Sequence, residues 1–129
     1  MKHYLGLILV SCSLLLFSFT IHKEEIDDVV VALKSGNANQ LSRFFDSRVD
    51  ITLPDRSDNY SRTQAEMVLR DFFGSNTVQN FDIRHKGETT GSKYCIGTLH
   101  TRNGDYRTKL LMKQKDDKLV LQEIEFSKN

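Results

Sequence analysis

The 129 residues contain two cysteines, one proline and no tryptophan. Two cysteines are too few for the disulfide framework of a small stapled fold. No Cys-x-x-Cys, His-x-His or His-Glu-x-x-His occurs, so a metal site has no support in the sequence. No Gly-x-Ser-x-Gly elbow is present, and the seven glycines form no phosphate-cradling loop, so no cofactor is expected. An excess of one charge is missing too. Eighteen Lys and Arg face seventeen Asp and Glu, for a net charge of +1. A general nucleic-acid binder normally carries a basic surplus. The chain is 39% hydrophobic and 27% charged, which excludes a disordered, collagenous or multi-span membrane protein. There are no repeats, linkers or low-complexity stretches, and this length is ordinary for one domain.

One long apolar run stands at the start. Met1-Lys2-His3 is basic, Tyr4 to Ile21 carry no charge, and Lys23-Glu24-Glu25 follow. This order predicts a secretory signal over residues 1–20, with Ser18-Phe19-Thr20 as an approximate cleavage site. The same run is just long enough to span a bilayer as an uncleaved anchor. Leu9-Val10-Ser11-Cys12 also fits the box that precedes a lipid-modified cysteine. Ser11, Ser13, Ser18 and Thr20 dilute the span and favour cleavage. The expectation is an exported protein, periplasmic or extracellular, held at a membrane only if the segment is retained or Cys12 is lipidated. Residues 21–129 then form a single domain. Lys2 is the only charged residue before residue 21, so this domain balances 17 basic against 17 acidic residues. Cys95 is its only cysteine. No internal disulfide can form, and a packed thiol is expected because no local His or Asn motif accompanies it.

Ile26, Val29, Val30 and Leu33 follow helical spacing, with Gly36 as the C-cap. Asn37 or Asn39 caps a second short helix carrying Leu41, Phe44 and Phe45. Val49, Ile51 and Leu53 alternate as a strand that Pro54 ends, and Asp55 to Asn59 is a polar loop. Ser61 and Gln64 form a capping box ahead of a helix with the stripe Ala65, Val68, Leu69 and Phe72, closed by Gly74-Ser75-Asn76. The period then falls to two. Phe81 and Ile83 mark one strand, and Gly87 to Gly91 a turn region. Tyr94, Ile96, Thr98 and His100 share one face of the next strand. Asn103-Gly104 is a hairpin signal, both residues tolerating positive φ. Tyr106, Thr108, Leu110 and Met112 follow, then a turn at Asp116-Asp117. Val120, Gln122, Ile124 and Phe126 share a face of the last strand. Helices that come first bury their stripes on one face of the later sheet, so the fold class is α+β, with N-terminal helices packed on a curved antiparallel sheet. Its concave side is the natural place for a ligand.

The segments Ile26 to Gly36, Thr52-Leu53-Pro54, Tyr60-Ser61 with Gln64-Ala65, Leu69 to Phe73 and Tyr94 to Asp105 resemble the nuclear transport factor two-like superfamily. This is the cone-shaped α+β fold shared with cystatin-like domains. More narrowly, the chain resembles a bacterial family of small secreted proteins known only as a domain of unknown function. The likeness covers most of residues 24–126. It implies the cone fold and a homodimer, and it carries no activity, because the superfamily holds isomerases, dehydratases and many non-catalytic domains.

The isomerase members use an acidic base with a hydroxyl or protonated acid as oxyanion donor. Asp50 with Tyr60, Tyr94 or Tyr106 offers those groups, but none maps onto that family's motif, and no catalytic residue is assigned. His22, His85 and His100 form no metal pattern. His100 and Tyr94 lie on a mixed aromatic, apolar and polar face, as pocket linings do. Gln122 sits among apolar neighbours, where an amide needs a partner. Lys109, Lys113, Lys115 and Lys118, with Arg102 and Arg107, are offset by Asp105, Asp116, Asp117, Glu123 and Glu125. This is a solvated face rather than an anion patch. The expectation is a non-catalytic domain that binds a small molecule or a protein partner through the concave sheet face, with Tyr94, His100, Tyr106 and Gln122 as ligand-binding residues. The alternative is an isomerase- or dehydratase-type enzyme, which needs Tyr94, His100 and Asp50 to converge inside the cone.

Overall fold

A computed structural model describes residues 25–129. The expectations for residues 1–20, Cys12 and His22 lie outside the described residues. Among the described residues no helix is long and apolar enough to cross a membrane.

Helix α1 spans Glu25–Ser35 and buries Ile26, Val29, Val30, Ala32 and Leu33. Three acidic residues in its first turn and Lys34 in its last suit the helix dipole. Gly36 at φ 62° closes it. The Gly36 amide donates to the Leu33 carbonyl and the Asn37 amide to that of Ala32, the paired bonds of a Schellman cap. Asn37 then caps α2, Ala38–Ser42, accepting from the Gln40 amide at 2.9 Å. The helical stripe was expected to run on through Phe45. Instead α2 stops at Ser42, and Phe45 opens strand β1, Phe45–Leu53. It does so because it pairs with Leu121 and buries its ring.

Asp55 to Asn59, expected as a loop, belong largely to strand β2, Arg56–Ser61, an edge strand antiparallel to β1. An edge strand is held by backbone pairing and needs no apolar face, so its composition hides it. Helix α3, Arg62–Ser75, starts from Ser61, whose hydroxyl and the Gln64 side chain cap each other's amides. The remaining strands are β3 (Val78–Thr89), β4 (Ser92–Thr101), β5 (Gly104–Lys115) and β6 (Lys118–Lys128). β3 runs through most of the expected Gly87–Gly91 turn; only Thr90 and Gly91 make the bend.

The sheet order is β2-β1-β6-β5-β4-β3, antiparallel except where β1 meets β6. The sheet is curved and does not close, and the fold is α+β. Its inner face carries Val49, Ile51, Phe81, Cys95, Leu99, Leu110, Met112, Leu121, Ile124 and Phe126. These form one buried cluster with the apolar stripes of the three helices. Phe72 stacks on Phe126 at 4.7 Å between ring centroids and meets Tyr106 edge-on at 5.2 Å, which fixes α3 across the inner face. The other face of the sheet bears mostly half-buried and exposed side chains, with Thr98 buried among them, and no described helix.

Three local departures position the polar groups. At the β4–β5 hairpin the two-residue turn is Arg102-Asn103, and only Gly104 takes positive φ, 113°. Asn103 spends its side chain otherwise, donating to the Ser75 carbonyl at 2.6 Å and tying the hairpin to the end of α3. In β6, Leu111 pairs with Glu123 and Met112 with Leu121, so Gln122 is an inserted, unpaired residue. The bulge turns Leu121, rather than Val120, into the core beside Ile124. Between Ile83 and His85 the β3 register also shifts, and Ile83 is exposed.

Candidate functional site

The four residues expected to line one concave site do not share it. Tyr106 is on the inner face and buried. Its hydroxyl donates to Asn76 Oδ1 at 2.8 Å, and Asn76 donates in turn to the Phe72 carbonyl at 3.1 Å. That chain is satisfied within the protein and holds the end of α3 against β5. It borders an open cleft of about 310 Å³ between the β1–β2 turn and α3. Gln122, in the β6 bulge, donates to Asp46 Oδ2 at 3.0 Å. Tyr94 and His100 lie on the opposite face, because their β4 neighbours Cys95, Leu99 and Thr101 are the buried ones. The Tyr94 ring lies against Gly87 of β3, where a Cβ would collide with it. The two residues share one face, as the strand alternation predicts, and that face is the outer surface of the sheet rather than its concave side.

Tyr94, His100 and Asp50 do not converge either. Asp50 is on β1, three strands from β4 in the sheet, a separation of roughly 14 Å. Asp50 is exposed, its carboxylate accepting from Asn59 Nδ2 at 2.7 Å; Asn59 in turn accepts from the Arg48 guanidinium. Tyr60 packs against the core. His85 is exposed on β3.

His100 nevertheless has the most organised polar surroundings on the outer face. Its Nε2 lies 2.7 Å from Asp82 Oδ2 and its Nδ1 2.9 Å from Asp105 Oδ1. Asp82 comes from β3 and Asp105 from β5, so the imidazole bridges three strands. Two carboxylates can both be satisfied only if both ring nitrogens carry protons. Hydrogen bonding to Asp82 first and Asp105 second therefore raises the His100 pKa above its ordinary 6.5. Sequence could have supplied half of this group, since His100 and Asp105 face each other across the hairpin. Asp82 is 18 positions away and carried no such signal. With both nitrogens committed to carboxylates, the ring has no free lone pair for general-base work.

A second polar group lies at the opposite end of the sheet. Asp46 accepts from Lys115 Nζ at 2.8 Å, from Gln122 and from the Ser47 amide at 2.7 Å. Lys115 is the main cause that lowers the Asp46 pKa from 3.8 to about 2, against a rise from desolvation. This group edges an open cleft of about 570 Å³ that Arg43 and Arg62 also line. Among the described residues no cluster of three or more His, Cys, Asp or Glu could hold a metal ion. Cys95 is buried, and burial pushes its thiol up to about 11, so it is a packed side chain rather than a nucleophile.

The inner face is thus given over to side-chain packing, and the polar groups outside it neutralise one another. The comparisons agree with a fold lacking an assigned chemistry. No curated protein matches the chain. A protein of the DUF4783 family from Bacteroides fragilis, of known crystal structure, is 35% identical. The match covers 79% of this chain and 96% of that one, with a TM-score of 0.75. Another from Bacteroides uniformis is 28% identical over 80% and 95% of the two chains, with a TM-score of 0.77. The structure named Rd1NTF2_04 with long sheet is 16% identical over 79% and 95%, with a TM-score of 0.65, a likeness of fold alone. The architecture is the nuclear transport factor two-like and cystatin-like cone. The family model described as a domain of unknown function, DUF4783, matches residues 26–127, and the chain belongs to that family.

Proposed function

We propose that this protein is an exported, non-catalytic binding module whose working surface is the helix-free face of the sheet. One observation carries the reading. The helices and the inner face are packed into a single buried cluster, while the outer face has Ile96 and Leu111 half-buried among charged side chains with no described element over them. This moves the binding surface from the concave side, where the sequence had placed it, to the opposite side. The basic, then apolar start of the chain supports export. A macromolecular partner fits better than a small molecule, because the outer face is broad and the clefts described above are open to solvent.

A photo-cross-linking side chain placed at Ile96 in the full chain, expressed in its bacterial host type, tests this. Covalent protein adducts are expected at position 96 and none at Met67, which is exposed on α3. Adducts at Met67 alone, or none at Ile96, would overturn the reading. Fractionation of the same cells checks export: the protein is expected outside the cytoplasm with residues 1–20 removed, and a cytoplasmic, full-length product would refute it.

A further inference from the structure

We propose that this chain holds the carboxy-terminal end of a polypeptide in a groove at the end of the sheet, a site separate from the outer face. Two clefts make the groove. The first is the cleft of about 570 Å³ beside Asp46. The second, of about 400 Å³, lies between the β3–β4 and β5–β6 turns. Glu25, Lys118 and Leu119 line both, so the two adjoin there. Adjoining clefts that stay open to solvent suit an extended chain better than a compact molecule, which a pocket would enclose.

Charge gives the groove a direction. In the first cleft Lys115 is committed to Asp46, at 2.8 Å. Arg43 and Arg62 then stand against one acid, Asp116, and the bases are in excess. Among the described residues Arg43 is in no ion pair. Arg62 donates from Nη2 to the Phe45 carbonyl at 3.0 Å. That bond uses one of its N–H donors and aims the guanidinium from a firm support, because Phe45 is buried and pairs with Leu121. A guanidinium held in this way presents a fork that matches a carboxylate. Phe44, Leu119 and Val120, all half-buried, offer apolar surface in the same cleft. In the second cleft Glu88 and Asp117 outnumber Lys93, which comes only within 3.9 Å of Glu88. Thr89 and Ser92 add hydroxyls there.

A polypeptide end answers both halves. Its terminal carboxylate goes to Arg43 and Arg62, its last apolar side chains to Phe44 and Val120, and a basic residue upstream to Glu88 and Asp117. The wall of the first cleft is set in advance. Phe45 pairs with Leu121 and Asp50 with Glu123, so Asp46 to Val49 stand opposite Gln122 alone. Such an irregularity re-aims side chains, and strands carry them beside binding sites. Asp46, tied to Lys115 and Gln122, holds this one in place, so little ordering is left for the guest to impose.

The probe is the peptide Lys-Ser-Lys-Ser-Leu-Leu with a dye at its amino end and a free carboxylate. It is titrated by fluorescence anisotropy with the full chain recovered from the producing cells. Saturable binding is expected, and the carboxamide form should bind about tenfold more weakly, the scale of a lost hydrogen bond to a charged group. Arg43→Gln with Arg62→Gln, checked for native circular dichroism, should abolish the preference for the acid over the amide. Glu88→Lys with Asp117→Lys leaves the arginines alone and should favour Glu-Ser-Glu-Ser-Leu-Leu over the lysine peptide, the reverse of wild type. A gain for one peptide cannot come from unfolding. No saturation up to about 1 mM overturns the proposal. So does equal affinity for acid and amide in the wild type, or a variant that keeps the wild-type preferences. The same sequence at the end of a carrier protein distinguishes the source. Binding of the carrier identifies a protein tail, and binding of the free peptide alone a processed fragment; both place a carboxy terminus in the groove. The Ile96 cross-link reads the outer face separately, so either result stands without the other.

Discussion

Asp46 and His100 are the two residues whose surroundings set a pH dependence, and they do so with opposite signs. The Asp46 carboxyl is lowered from 3.8 to about 2, chiefly by Lys115, so its contribution is complete above the unfolded value and disappears as pH falls between the two. Lys115 is half-exposed, which limits the gain to about 1 kcal/mol. Asp46→Asn is expected to lose that amount at pH 7 by urea unfolding, and the gap to wild type should close between about pH 4 and about pH 2. An unchanged gap at pH 2 would remove the ion pair from the account. For His100 the folded pKa is raised above 6.5 by Asp82 and Asp105. Its stabilisation is complete below that unfolded value and fades as pH climbs through the raised one. His100→Gln should therefore cost stability at pH 6 and little at pH 9, when both proteins are titrated for unfolding free energy side by side. A constant difference over that range would mean that the imidazole is held by shape rather than charge.

Among the elements, the β3–β4 pair is built to the tightest tolerance. A Cβ at Gly97 would run into the Asp82 carbonyl oxygen and the Phe81 ring. Gly97→Ala is expected to lose about 2 kcal/mol by forcing these strands apart, with a lower melting temperature as the readout. A melting temperature equal to wild type would show that Phe81 can move aside. At the start of α3, Ser61→Ala should cost about 1 kcal/mol through loss of the cap. The same elements show what sequence can deliver. The capping box, the Gly36 cap and the stripes of α1 and α3 were legible because each is a local arrangement of side chains on one helix. Phe45 was not, since a distant strand rather than its own neighbours decides its conformation. The Gln122 bulge was invisible for a related reason: one inserted residue changes which side chains face inward without altering composition. The placement of the expected site residues departs from the structure at the same step. Period two placed Tyr94 and His100 together correctly, but a single strand cannot say which of its two faces the helices will cover.

On the scale of the whole molecule, stability rests on one continuous core, and among residues 25–129 Cys95 is the only cysteine and is unpaired. It can serve as a reporter. In the protein lacking residues 1–20, a thiol reagent should label Cys95 only as fast as the fold opens, because the side chain is fully covered and its thiol is raised to about 11. Labelling should accelerate with urea in step with unfolding seen by circular dichroism, and fast labelling in buffer alone would contradict a sealed interior.

An unclosed sheet has two rims, and each could recruit further chains without limit. Here one rim is a six-residue strand of Arg, Ser, Asp, Asn, Tyr and Ser, whose side chains are tied sideways, Thr52 to Ser57 and Asp50 to Asn59. The other is broken by the shift at Ile83 and continues into His85 and Lys86. The hydrophilic stretch that disguised β2 thus acts as a guard against runaway polymerisation, keeping further strands off a sheet that does not close on itself.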